Sequence, residues 1–218
     1  MADDFLERVW ADREERIYPG LFGSLGAGIF PLDGETFEVF KQDPDPRWLF
    51  TGVFESEPSS KHTDWVYVSS GLSNPWEQDR PAESSDELSW LGVEFVLRSS
   101  EQGAWAIRLV QHIAAFEILL AHDRFPGRER LGFGDRIPLG GPMAPGNEGL
   151  LTYLLVAPPA DQQNVFQLES GCVDFVQLVG ITEREAAFGK QNGLDPLLEL
   201  LRSGGAYEIT DPARASLV

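Results

Sequence analysis

Cys172 to Ile181, CVDFVQLVGI, is the stretch that most narrows what this chain can fold into. It has strand length and is apolar on both alternate faces, the pattern of a central strand covered on both sides. Trp65 to Val68 (WVYV) is aromatic or β-branched throughout and fits a pleated, half-buried surface. Leu91 to Arg98 (LGVEFVLR) follows a polar acidic loop, and these two strands are expected to be neighbours in one sheet. Ser69-Ser70-Gly71 supplies turn chemistry, and Asn74-Pro75 imposes an extended or turn conformation. Trp76 is left in the loop between the strands. Glu94 interrupts an apolar run and reads as an outward-facing position, with Val93, Phe95 and Leu97 facing in.

The remaining elements follow from periodicity and punctuation. Asp3 to Arg16 reads as a helix, with Phe5, Leu6, Val9 and Trp10 at helical spacing and Pro19-Gly20 as its stop. Glu35 to Phe40 and Trp48 to Phe54 read as short strands. Ser99 to Ala121 is the longest predicted helix. Ser99-x-x-Gln102 forms its capping box, and Trp105, Leu109, Val110, Ile113, Phe116 and Leu120 face the sheet. Arg128 to Gly149 is a Gly/Pro-rich loop holding a short strand at Arg136-Ile137. Leu150 to Ala157 and Val165 to Leu168 are strands. Thr182-x-x-Glu185 opens a helix toward Phe188, and Asp195-Pro196 starts another that Gly204-Gly205 closes. Ala206 to Thr210 reads as a last strand and Asp211 to Val218 as a tail. The expected architecture is one α+β domain over 1–218, a mixed, mostly antiparallel central sheet with helices packed on its faces.

Function is constrained mainly by what is missing. Lys+Arg 17 against Asp+Glu 35 gives a net charge of -18, which opposes binding to nucleic-acid phosphate. It suits a basic partner or simple solubility. The single cysteine, Cys172, excludes an intramolecular disulfide and a Cys-based zinc site, and its place in a central strand reads as a small buried hydrophobe. The acidic N-terminus lacks a signal-peptide pattern, and no apolar run approaches the roughly 20 residues of a membrane helix. A cytoplasmic setting without membrane contact is expected. His112 and His122 lie on separate faces of one helix, and neither HExxH nor Gly-x-Ser-x-Gly occurs. Gly20 to Gly34 lacks the Gly-Lys-Ser/Thr and the third glycine of phosphate-binding loops. No catalytic, metal-binding or cofactor-binding residue is therefore assigned, and the chain is expected not to be an enzyme. Two other readings stay open. In one, the loops Gly20–Gly34 and Gly132–Gly149 shape a catalytic or small-molecule pocket; in the other, Leu21 to Leu32 is an oligomer interface.

Several separated blocks resemble one family. Trp65-Val-Tyr-Val-Ser-Ser-Gly-Leu-Ser-Asn and Glu87-Leu-Ser-Trp-Leu-Gly-Val-Glu-Phe-Val-Leu-Arg are similar to the core signature of the Suppressor of fused domain. Gly171-Cys-Val-Asp-Phe-Val-Gln-Leu-Val-Gly-Ile-Thr-Glu-Arg-Glu and Gly193-Leu-Asp-Pro-Leu-Leu-Glu-Leu-Leu are similar to its late strand and closing helix. The resemblance implies a non-enzymatic binder of a protein or peptide partner, in which an extended peptide lies between an N-terminal domain and a second one. By motif position it places the partner-contacting tyrosine and aspartate at Tyr67 and Asp79, although Trp76-Glu-Gln-Asp79 departs from the family's aromatic-Gly-Asp. Trp76, an aromatic in a polar loop, joins them as an expected partner contact. The resemblance covers only the first jaw of that clamp. Short members of this kind are bacterial and are often proposed as immunity proteins, so the resemblance implies a bacterial immunity or regulatory protein that binds a protein or peptide, a basic toxin being one candidate.

Overall fold

The computed structural model describes residues 2–144, 146, 149–160 and 165–218. The chain enters as α1 (Ala2–Ala11), continues through a π-helical stretch (Asp12–Ile17) and ends the run in α2 (Tyr18–Phe22). Pro19-Gly20 does not stop this helix. Pro19 sits in the first turn of α2, directly after the π-helical stretch, and Gly23 at φ 84° closes the helix. After β1 (Phe30–Pro31) comes α3 (Gly34–Glu38) in place of the expected strand. Asp33 caps it reciprocally with Thr36, which overrides the partial alternation of Phe37 and Val39. The Trp48 to Phe54 run divides into a 3₁₀ turn (Pro46–Phe50), capped by Asp45, and β2 (Gly52–Ser56).

The strands β3 (Trp65–Ser70) and β4 (Leu88–Ser99) pair antiparallel, as expected, with Val68 opposite Val96. Next come α4 (Ala104–Ala121), β5 (Arg136–Pro138), β6 (Leu151–Ala157), β7 (Val165–Leu168), β8 (Gly171–Thr182), α5 (Glu183–Asn192) and α6 (Leu194–Ser203). The described residues build an eight-stranded sheet in the order β1-β2-β3-β4-β8-β6-β5, with β7 also on β8. Only the β4–β8 ladder among these strands is parallel. The α+β expectation holds, and β8 is the central strand.

The two faces of β8 explain the layering. Val176 and Leu178 point to the side where α4 packs through Val110, Ile113, Ala114 and Ile118. On the opposite side Val173 and Phe175 meet Phe5, Val9 and Tyr18 from the N-terminal helices. Farther along that side Val179 and Ile181 meet Leu197, Leu198 and Leu201 of α6. Each such side chain contributes on the order of 1.5–3 kcal/mol on burial, so the two-sided apolar pattern makes β8 the spine of the core. By composition alone α4 is long and apolar enough to cross a membrane, but here it is the helix that covers this core.

Four local expectations fail. Ser99 and Gln102 do not form a capping box: α4 begins after Gly103, whose N–H donates to the Tyr67 hydroxyl at 2.9 Å. The apolar stripe of α4 is rotated from the expected one, so Trp105, Leu109 and Phe116 are only half-buried. Asp195 lies inside α6, which Gly193 precedes as the cap. Ala206 to Thr210 makes a single bridge, Thr210 to Ser99, rather than a strand. The predicted loop at 128–149 includes Pro145, which lies outside the described residues.

The C-terminal segment is tied down by Glu185. Its own capping box with Thr182 is present as expected. Burial opposes its charge, but Arg214 at 2.6 and 2.7 Å and the backbone N–H groups of Thr182 and Leu217 outweigh burial and hold the carboxyl below its usual range. A depressed folded-state pKa stabilises above the unfolded value, and that contribution is lost as pH falls through the folded one. Arg214→Met is therefore expected to cost about 2 kcal/mol at neutral pH. The cost should shrink below about pH 4, as Glu185 takes up its proton. Urea unfolding of both proteins at neutral and acid pH checks this. An equal difference at both would contradict it.

Candidate functional site

The turn after β3 is built around a buried carboxylate. Glu94 on β4 is fully enclosed rather than outward-facing, because β4 at this point lies under both the loop and the N-terminal helix. Its Oε1 accepts from the backbone N–H groups of Gly71 and Ser73, each at 3.0 Å, and from the Ser73 hydroxyl at 2.6 Å. Its Oε2 accepts from the Ser69 hydroxyl at 2.5 Å. Ser69 in turn accepts from the Phe95 N–H at 2.8 Å, so a side chain takes over where the β3–β4 ladder stops. Ser69 and Ser70 thus complete β3, and the turn begins only at Gly71.

Arg13 reaches this hub from the π-helical stretch. Such a turn re-aims side chains along a helix and often marks a functional region. Arg13 is fully buried, donates to Ser73 Oγ at 2.9 Å and Asn74 Oδ1 at 2.9 Å, and lies 3.8 Å from Glu94. Glu14 bridges Arg13 and Ser70 at 3.0 and 2.6 Å. Trp10 adds its indole N–H to Asn74 Oδ1 at 2.7 Å. Arg13 Nε and Asn74 Nδ2 have no partner among the described residues, but the other bonds of this enclosed network fix the loop that follows.

That loop presents aromatic surface. Trp76 packs on Trp10 at 6.5 Å and on Phe50 at 5.9 Å, and Trp10 stacks on Phe50 at 5.9 Å between ring centres. Phe50 stays 57% exposed, which leaves the cluster open at its edge. A second group lies at the same end of the sheet, where His122 at the end of α4 sits against Trp48 at 4.9 Å and Trp90 at 6.0 Å. Trp90 has the uncommon φ of 49° at the irregular start of β4. Burial lowers the His122 pKa, partly offset by Glu77. The rim is acidic: the segment 77–87 carries Glu77, Asp79, Glu83, Asp86 and Glu87 against Arg80.

The three residues expected from the sequence separate. Trp76 and Asp79 share this loop; Trp76 is half-buried against the aromatic cluster, and Asp79 is exposed without an ion-pair partner among the described residues. Tyr67 is fully buried in the α4-side core, and its hydroxyl accepts from Gly103 at the N-terminal end of α4, away from the Trp76 loop. Trp10, Phe50 and Glu94 were not singled out as site residues by sequence. Phe50 sits in a run read as strand, and Trp10 had only a helical period to explain it. Cys172 is half-buried, less enclosed than expected, and burial pushes its thiol up.

The Suppressor of fused protein (SUFU) family matches residues 50–215. The human Suppressor of fused homolog is 26% identical over 221 residues, spanning 88% of this chain and 44% of the human protein. The chain thus spans less than half the length of that relative. Among solved structures, the fold is similar to a SUFU homologue from Neisseria gonorrhoeae, with TM-score 0.63, 20% identity and coverage of 99% of this chain and 98% of that one. It is also similar to a chain in the Sufu–Fu complex, with TM-score 0.64, 19% identity and coverage of 99% and 91%. The clamped turn, the central β8 and the family match over most of its length lead to one conclusion: this chain belongs to the Suppressor of fused family.

Proposed function

We infer that this chain is a non-enzymatic protein-binding domain whose docking face is the Trp10–Phe50–Trp76 cluster with Asp79 at its rim. The observation that carries the reading is a half-open aromatic cluster on a loop held rigid by a buried carboxylate. Large rings presented at low entropic cost are what interface hot spots use, and a rigid loop reduces the ordering cost on association. A Suppressor of fused relative has been solved as the Sufu–Fu complex, which supports a protein as the ligand class. The acidic rim favours a basic partner and fast, salt-sensitive association. In this reading Tyr67 acts from the core, fixing β3 beneath the loop.

The finer proposal is a cytoplasmic bacterial immunity protein that neutralises a basic toxin. Its test is co-expression with the toxin encoded beside it. Growth should be rescued by the wild type and lost with Phe50→Ala/Asp79→Arg, both at exposed positions. Equal rescue by both proteins would move binding off this face, and no rescue by either would end the immunity reading.

A further inference from the structure

The outer side of α4 forms an apolar groove that the Trp76 face does not account for. Trp105, Leu109, His112 and Phe116 recur at helical spacing and are half-buried. Val39 and Phe40, just after α3, and the segment from Ile137 to Met143 complete a depression of about 410 Å³. Phe40 stacks on Phe116 at 5.5 Å and meets the His112 ring edge-on at 6.4 Å, so this wall is firmly seated. Val39 beside it is 64% exposed. Trp105 to Phe116 rises roughly 16 Å, room for about three turns of a helix laid alongside.

The charge of the groove is opposite to that of the molecule. The chain carries 35 acidic residues against 17 basic ones, and most of its arginines are engaged; Arg8, Arg16, Arg47, Arg80 and Arg130 all hold carboxylates. Arg108 is exposed at the groove and makes no hydrogen bond or ion pair among the described residues. It is the one charged side chain in the lining. Burial, then Arg108, lower the His112 pKa against the opposing pull of Asp33, so the ring is neutral near pH 7 and Arg108 is the cation of the lining, with Asp33 as the nearby acid.

We propose that this groove is a second docking site, which takes an amphipathic helix of a partner whose apolar stripe is flanked by carboxylates. The apolar floor receives the stripe at i, i+3/i+4 and i+7, and Arg108 pairs with a flanking acid, the helix-in-groove mode. The acidic Trp76 end would repel such a segment, so the two faces select partners of opposite charge. This site stands independently of the Trp76 reading.

The probes are two displayed peptide libraries about 14 residues long, roughly four helical turns. Both have the same leucine and phenylalanine stripe; one carries glutamate between, the other lysine. The glutamate library is expected to yield binders of roughly micromolar Kd. Arg108→Glu and Val39→Asp, both at exposed positions, should weaken them at least about tenfold with Tm unchanged. Phe50→Ala, on the other face, should leave them unaffected. Enrichment from the lysine library alone, or from neither, would overturn the proposal. So would binders indifferent to Arg108→Glu. Self-association abolished by Val39→Asp would make a second copy the occupant and would also overturn it.

Discussion

Glu94→Ala should destabilise the protein by about 4 kcal/mol, the range seen when one partner of a buried, hydrogen-bonded charge pair is removed. The four hydrogen bonds Glu94 accepts from Ser69, Gly71 and Ser73 disappear together. Arg13, itself fully buried, loses the carboxylate 3.8 Å away and keeps Glu14 as its one carboxylate among the described residues, beside its neutral acceptors Ser73 and Asn74. At roughly 2–4 °C per kcal/mol for a chain this long, Tm should fall by about 8–16 °C. Glu94→Gln keeps the shape and one acceptor, and is expected to cost about half as much. An outward-facing glutamate, as the strand alternation suggested, would change stability by only about 0.5 kcal/mol in either direction. Denaturant unfolding separates the two cases. A loss under about 1 kcal/mol would remove Glu94 as the support of the loop.

The next largest effect is expected at Gly171, the first residue of β8. Its φ of 138° is unfavourable for any side chain, and an added Cβ would lie 2.4 Å from the Glu87 carbonyl oxygen and 2.7 Å from the Ser89 nitrogen. Both are backbone atoms at the start of β4, where Cys172 N–H donates to Glu87 O at 2.7 Å. Neither can move without opening the entrance to the β4–β8 ladder. Backbone strain of about 1–3 kcal/mol and overpacking of similar size put Gly171→Ala at about 4 kcal/mol. Gly205 is the control: its φ is also positive, at 67°, but nothing lies within 4 Å of its Cβ position. Gly205→Ala should cost about 1 kcal/mol. Equal losses at the two positions would show that conformation alone, not close approach, matters at Gly171.

What the sequence made legible was the apolar frame. Cys172 to Ile181 carries its two-sided burial in its pattern, and Trp65 to Val68 and Leu91 to Arg98 pair as expected because each is long enough to show its period. Short elements failed where capping overrode alternation, as at Asp33 and Thr36, or where proline opened a tight turn before β2. Glu94 was misread for a different reason. Alternation says which side of a strand a residue faces, but not what stands on that side. Here the outer side of β4 is roofed by Arg13, which arrives from 81 positions earlier through a π-helical turn that no local pattern announces. The same distance in sequence hid the aromatic cluster of the proposed docking face, since Trp10, Phe50 and Trp76 meet only in the folded chain. The Ser69 to Asn74 motif is readable in hindsight: its hydroxyls and N–H groups form the cradle of one carboxylate.

The measurement that tests the proposed docking face most directly is the calorimetric affinity of a protein partner, first isolated by pull-down with the wild type, for wild type, Phe50→Ala and Trp76→Ala. If the aromatic cluster is the hot spot, Trp76→Ala should weaken binding by roughly 30-fold, about 2 kcal/mol, and Phe50→Ala should weaken it while leaving Tm unchanged. Affinities within about twofold of wild type for both folded variants would contradict the account and place the partner elsewhere on the molecule.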